Sequence, residues 1–137
     1  MDLQKLEHHI EINNLGSAIK LIQEIVDKDN SEAITILIKH LKDTDNHDLR
    51  NKIVLALSDL SCEEAVTPII ELLNSPKTNG NRDTLSYALK PLDYSNHIEL
   101  LLNQMINGNY EAQQESKQLI LGIKDKLQDE VLQKDIN

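Results

Sequence analysis

Tryptophan and phenylalanine are absent from this chain, and three tyrosines make up its whole aromatic content. A core without large rings must be filled by Ile, Leu, Val and Ala, which suits thin layers of paired helices better than a sheet sandwich closed around buried aromatics. The single cysteine, Cys62, excludes an internal disulfide and supplies no zinc site, so a reducing compartment is expected. The four glycines stand apart from one another, and no glycine-rich phosphate loop exists. No apolar run approaches a membrane span, and Met1-Asp2 opens straight into a polar amphipathic segment, so the expectation is a cytoplasmic protein without a membrane partner. Basic residues are also scarce, 14 Lys and Arg against 23 Asp and Glu, for a net charge of −9. That leaves no cationic stripe for phosphates and argues against nucleic-acid binding. An acidic surface keeps a protein in solution, and it also attracts a basic partner.

What the sequence does contain is an internal repeat. Its only two arginines, Arg50 and Arg82, lie 32 residues apart, and each is followed six and seven residues later by Ala-Leu, at Ala56-Leu57 and Ala88-Leu89. The same interval carries Ala33-Ile34 onto Ala65-Val66, Leu37-Ile38 onto Ile69-Ile70, and Leu41 onto Leu73 and Met105. Self-similarity at such a period marks a solenoid of stacked units.

Apolar spacing predicts about eight helices and no strand. The first two carry Leu3, Leu6 and Ile10, then Ala18, Leu21, Ile22 and Ile25, with a turn at Asn13 to Gly16. A helix from Ser31 presents Ile34, Leu37, Ile38 and Leu41, and the next presents Leu49, Ile53, Ala56, Leu57 and Leu60. Ser61 and Glu64 have the spacing of a capping box opening the helix of Val66, Ile69, Ile70 and Leu73. Pro68 either kinks that helix or follows a cap at Thr67. Ser75 to Asn81 reads as a loop. Arg82 to Leu92 is a helix that Pro91 ends or bends, Ser95 to Ile106 presents Ile98, Leu101, Leu102 and Met105, and Tyr110 onward is one long helix or two divided near Gly122. The short connections imply antiparallel hairpins, in units of roughly 1–30, 31–61, 62–93 and 94–137.

The stretch Leu49 to Leu73, with its arginine before a small-residue helix ending in Ala-Leu and its Glu-Ala-Val-Thr-Pro-Ile-Ile-Glu-Leu-Leu successor, resembles the HEAT-type helical repeat of short bacterial proteins. The resemblance implies an all-α fold, a right-handed α-solenoid of about four hairpins forming a single domain, in which the second helix of each hairpin lines a concave face. HEAT-like solenoids are mostly interaction scaffolds, so a protein-binding module without cofactor is implied. The more specific expectation is a monomeric immunity or antitoxin-type protein, a complete small chain that covers the active site of a basic toxin. The alternatives are an enzyme or lyase-like accessory of the same repeat family, against which the scarcity of aromatics speaks, and a generic assembly adaptor.

On the expected inner face, Leu55 points nearly opposite the core stripe of its helix, among Asp48, Asn51, Lys52 and Asp59. One interval on stands Tyr87 with Asp83 beside it, and one interval back stands Gln23 with Asp27. A strip through Gln23, Leu55 and Tyr87, flanked by Asp27, Asp48, Asp59 and Asp83, is therefore the expected partner surface, apolar anchors inside a charged rim. Arg50 and Arg82 are expected to be structural, reaching helix-end carbonyls or carboxylates of an adjacent unit, and Ala56 and Ala88 to sit where helices approach closely.

Catalytic groupings fail on chemistry. Cys62 stands beside Glu63 and Glu64, whose charges disfavour a thiolate. His8 and His9 point roughly 100° apart on a helix and cannot share a metal. His40 and His47, with Asp43, Asp45 and Asp48, form the most metal-like group, but aspartates at helix boundaries are routine caps. No metal and no catalytic residue is expected.

Overall fold

A computed structural model describes the backbone of residues 3–136 and the side chains of residues 3–123. The described chain is all-helical: α1 (Leu3–Glu11), α2 (Leu15–Asp27), α3 (Ile34–Asp43), α4 (His47–Asp59), α5 (Val66–Leu73), α6 (Asp83–Leu89), α7 (Ile98–Asn107) and α8 (Tyr110–Ile136). Consecutive helices pair as α1/α2, α3/α4, α5/α6 and α7/α8. The second members also lie side by side, with α4 against α2 and α6, and α6 against α8, while α3 packs on α5.

The repeat interval is written into the backbone. Single 3-10 turns at Ser31–Ala33, Glu63–Ala65 and Ser95–His97 begin 32 residues apart and lead into α3, α5 and α7, which begin at the same spacing. The helix ends repeat too. Asp29 and Ser61 have φ of 49° and 54°. Behind them the amides of Asn30 and Cys62 reach back to the carbonyls of Ile25 and Leu57 at 3.0 Å, and those of Asp29 and Ser61 to Val26 and Ser58. Each is a Schellman closure, in which a left-handed residue lets the chain turn back and satisfies the last carbonyls of the helix. Asn13 closes α1 in the same way.

This corrects the capping-box expectation. Ser61 terminates α4 instead of opening the next helix, and Cys62 precedes the 3-10 turn with no side-chain cap. Thr67 does not cap a shorter helix before Pro68, because α5 begins at Val66 with Ala65 at its N-cap. Pro68 is the third residue of α5, where its missing N–H is one the helix leaves unpaired anyway. Near Gly122 the chain runs on as one helix, with Tyr94 packed so closely that a Cβ on Gly122 would lie 2.8 Å from the tyrosine hydroxyl, which donates to the Leu119 carbonyl.

A serine in the left-handed region carries a steric cost of about 1–2 kcal/mol that glycine avoids, partly offset by the greater freedom of glycine in the unfolded chain. Ser61→Gly is therefore expected to raise stability by about 0.5–1 kcal/mol, read as an increased melting midpoint. A lowered midpoint would mean that the serine side chain contributes more than its backbone strain costs.

The core follows the repeat. Leu37, Ile69 and Leu101 are equivalent and fully buried, as are Leu57 and Leu89 and, nearly so, Ala56 and Ala88. Tyr94 is its only aromatic among the described residues. The pattern breaks on α7, where Ile98 and Leu102 are each 38% exposed although their equivalents, Val66 and Ile70, are buried. Of the apolar face expected on that helix only Leu101 is buried; α7 belongs to the last hairpin, and no further hairpin stacks on it among the described residues. No helix among the described residues is long and apolar enough to cross a membrane.

Candidate functional site: an acidic recess across α4, α6 and α8

Three of the seven residues expected on the partner surface come together. Leu55 from α4 and Asp83 and Tyr87 from α6 line an open recess of about 500 Å³, closed on its far side by Glu115 and Gln118 from α8, with Ser86 at its base. They meet because α4, α6 and α8 lie side by side. Tyr87 is 64% exposed, whereas Leu55 is half-buried. Gln23 and Asp27 are exposed on α2, one helical turn apart, the Gln23 amide donating to Asp27 Oδ1 at 3.0 Å. Asp48 and Asp59 are exposed on α4 and do not line the recess.

Glu115 and Gln118 are absent from the sequence-based strip. The signal was available, because the interval that carries Leu55 to Tyr87 also carries Asp83 to Glu115 and Ser86 to Gln118. The carboxyl of Glu115 is pushed above the usual carboxylate range, first by burial and then by the adjoining Asp83 and the charge of Glu111. The neighbouring Ser86 hydroxyl opposes the shift, yet it meets no partner at full hydrogen-bonding geometry. Lys90 also lines the recess and holds its ammonium 5.8 Å from the centre of the Tyr87 ring.

The arginines have a different task. Arg50 is fully buried, donating to the Thr44 carbonyl at 2.9 Å and meeting His47 Nδ1, so it ties the start of α4 to the loop of its own hairpin. Burial lowers its pKa, against the opposing charge of Asp45. Arg82 does this and more. It donates to the Ser75 carbonyl at 3.0 Å behind it, and also reaches the next hairpin at Asn109 (3.0 Å) and Glu111 (2.9 Å). Gly80, at φ 79°, gives its amide to the same Glu111 oxygen. Other polar ties link consecutive hairpins: Lys39 to Glu7, Lys77 to the Lys42 carbonyl, and Thr67 to His97.

The remaining candidates are dispersed. His40 is buried with Nε2 3.5 Å from Glu7, His47 faces Arg50, and His8 and His9 lie with tilted rings 5.7 Å apart. Among the described residues no three His, Cys, Asp or Glu side chains converge as a metal site. Cys62 is buried, its thiol pushed up to about 11 by burial and by the hydrogen bond it gives Glu64 at 3.1 Å. A thiol so held is a poor nucleophile.

No family model, curated protein or solved structure matches the chain.

Proposed function

We propose that this chain is a protein-binding module, a HEAT-like solenoid that uses the layer of α2, α4, α6 and α8 to engage a basic protein. The observation that carries this reading is the recess, where an exposed tyrosine and a half-buried leucine stand against Asp83 and Glu115 at the junction of three helices. Apolar anchors within a charged rim are how binding energy is usually concentrated, and a chain of net charge −9 draws a cationic partner towards that rim. The most specific form is an immunity protein that neutralises a basic toxin by covering its active site. Binding by occlusion requires shape and charge and no catalytic group. It also calls for a firm scaffold, which the polar ties between hairpins provide.

The test begins with purifying whatever protein co-elutes from the native host and measuring its binding kinetics. Tyr87→Ala is expected to weaken the complex by about 2 kcal/mol while leaving the helical spectrum unchanged. Charge reversal at Asp48, Asp59 and Asp83 is expected to slow association and flatten its salt dependence, because exposed rim charges steer more than they anchor. Wild-type binding by these variants, with binding lost on changing Lys39 of α3 or Glu71 of α5, would place the partner on the opposite layer.

A further inference from the structure

The exposed apolar surface of the described residues is gathered at one end of the protein. Of eight large apolar or aromatic side chains that stand exposed, six belong to the last hairpin: Ile98, Leu100, Leu102 and Ile106 of α7, and Tyr110 and Leu121 of α8. The first hairpin contributes only Ile12. Ile98 and Leu102 are the repeat equivalents of Val66 and Ile70, which are 2% and 0% exposed in a unit that has a successor. A patch of this kind on an otherwise polar protein marks a contact surface.

Most of these side chains share one face, turned away from the preceding unit. His97 is tied to Thr67 of α5 and marks the near side of α7; at about 100° per residue, Ile98, Leu102 and Ile106 point away from it. On α8, Glu115 faces the recess beside α6. Tyr110 and Lys117 point away from it by the same count.

Charge says what such a face suits. From Ile98 to Tyr110 the only charged side chain is Glu99, in a chain of net charge −9. A basic partner finds little to hold there, whereas two copies of an acidic chain repel one another least across a surface of this kind. The charges that are present match under symmetry. Glu99 and Lys117 stand nine residues before and nine after Gly108, the C-cap of α7, and Ile106 and Tyr110 stand two before and two after. In an antiparallel hairpin the members of each pair lie at one height. A two-fold axis parallel to the helices keeps those heights while laying α7 of each copy on α8 of the other, so Glu99 meets the second copy's Lys117 and Ile106 its Tyr110. The opposite end, with Ile12 alone exposed, offers no matching surface for a head-to-tail contact, so the pairing closes at two.

We propose that the outer face of α7 and α8 is the contact of a symmetric homodimer, in which Ile98, Leu102 and Ile106 of each copy are covered by α8 of the other and Glu99 pairs with the second copy's Lys117. It departs from the monomer expected from the sequence. It does not depend on the recess, which lies on the side of α8 towards α6.

The test is sedimentation equilibrium of the intact chain over a wide range of concentration. The mass is expected to rise from 15.6 kDa towards twice that value and no further. Leu102→Asp puts a charge in the middle of the face and is expected to weaken the dimer about thirtyfold or more; its circular dichroism spectrum should not change, because the side chain is 38% exposed in the single chain. Glu99→Lys and Lys117→Glu each set like charges together twice in their own dimers, and each is expected to weaken association roughly tenfold. Mixed in equal amounts, the two variants have both contacts attractive in the mixed dimer, so the mixture is expected to recover the association of the parent. A Glu99–Lys117 pair within one chain would give no such recovery. A mass of 15.6 kDa at every concentration overturns the proposal, as does undiminished association of Leu102→Asp. Growth past two copies overturns the closed two-fold, and a mixture no better associated than its components overturns the pairing of α7 with α8.

Discussion

Arg82→Met is expected to cost about 3 kcal/mol of folding stability and to loosen the last hairpin before the others. The side chain is 4% exposed, and it supplies donors to the Ser75 carbonyl, Asn79, Asn109 and Glu111 at 2.9 to 3.3 Å. Truncating one partner of a buried ion pair costs about 3–5 kcal/mol when the other charge is left stranded. Glu111 is 27% exposed and can turn towards water, which favours the lower end. The location of the damage is the more specific expectation. Arg82 and Gly80 bind the loop before α6 to the start of α8, so their loss weakens one junction between hairpins. On the proposed solenoid reading, in which each unit holds only its neighbours, a weak junction frees whatever lies beyond it. Urea unfolding should give the reduced stability, and amide exchange should show protection falling in α7 and α8 well ahead of α1 and α2. Arg50→Met is the natural comparison, since Arg50 bonds only within its own hairpin. An unchanged midpoint, or an even loss of protection along the chain, would show that Arg82 does not couple the hairpins.

Ala88→Phe should be similarly damaging, by about 3 kcal/mol, seen as a melting midpoint lowered by about 10 °C. Ala88 is fully buried on α6, which packs against α4, α5 and α8, and its equivalent Ala56 is 4% exposed on α4. Cores are packed to crystal-like density, so a ring placed there is expected to force the helices apart. Ala56→Phe is expected to behave alike, because the repeat gives it the same surroundings. An unchanged midpoint in both variants would mean that these alanines do not mark points of close approach.

The 32-residue interval made most of the backbone legible. It placed Arg50 with Arg82 and Ala56 with Ala88 at equivalent positions, and all four are buried. Its failures have separate causes. Ser61 and Glu64 have a spacing that a capping box shares with a Schellman closure followed by a new turn, and only a backbone angle tells them apart; the informative residue was Asp29, one interval earlier and also just past a helix. Ile98 and Leu102 show how periodicity finds an apolar face without saying whether anything covers it. Arg82 to Leu92 is expected as a helix that Pro91 ends or bends, and α6 spans Asp83–Leu89, ending two residues before Pro91. Glu115 was missed because α8 lacks the arginine and the Ala-Leu pair that mark the register, although counting on from Asp83 reaches it. Leu55 was read as exposed from its angle on α4 alone, and its half-burial depends on neighbouring helices that no single-helix projection contains.

Cys62 gives the chain an internal clock. The thiol lies at the joint where α4 closes and the third hairpin begins, 3% exposed and bonded to Glu64. A thiol reagent can reach it only after that joint has opened, and in the opened state the sulfur regains the acidity of an ordinary cysteine. When reclosing is faster than labelling, the labelling rate measures the fraction of molecules open at the middle of the stack; when labelling is faster, it measures how often the joint opens. Because no second cysteine competes, one modified atom per chain reports both quantities, and a partner that braces the stack would slow the reaction without touching the sulfur.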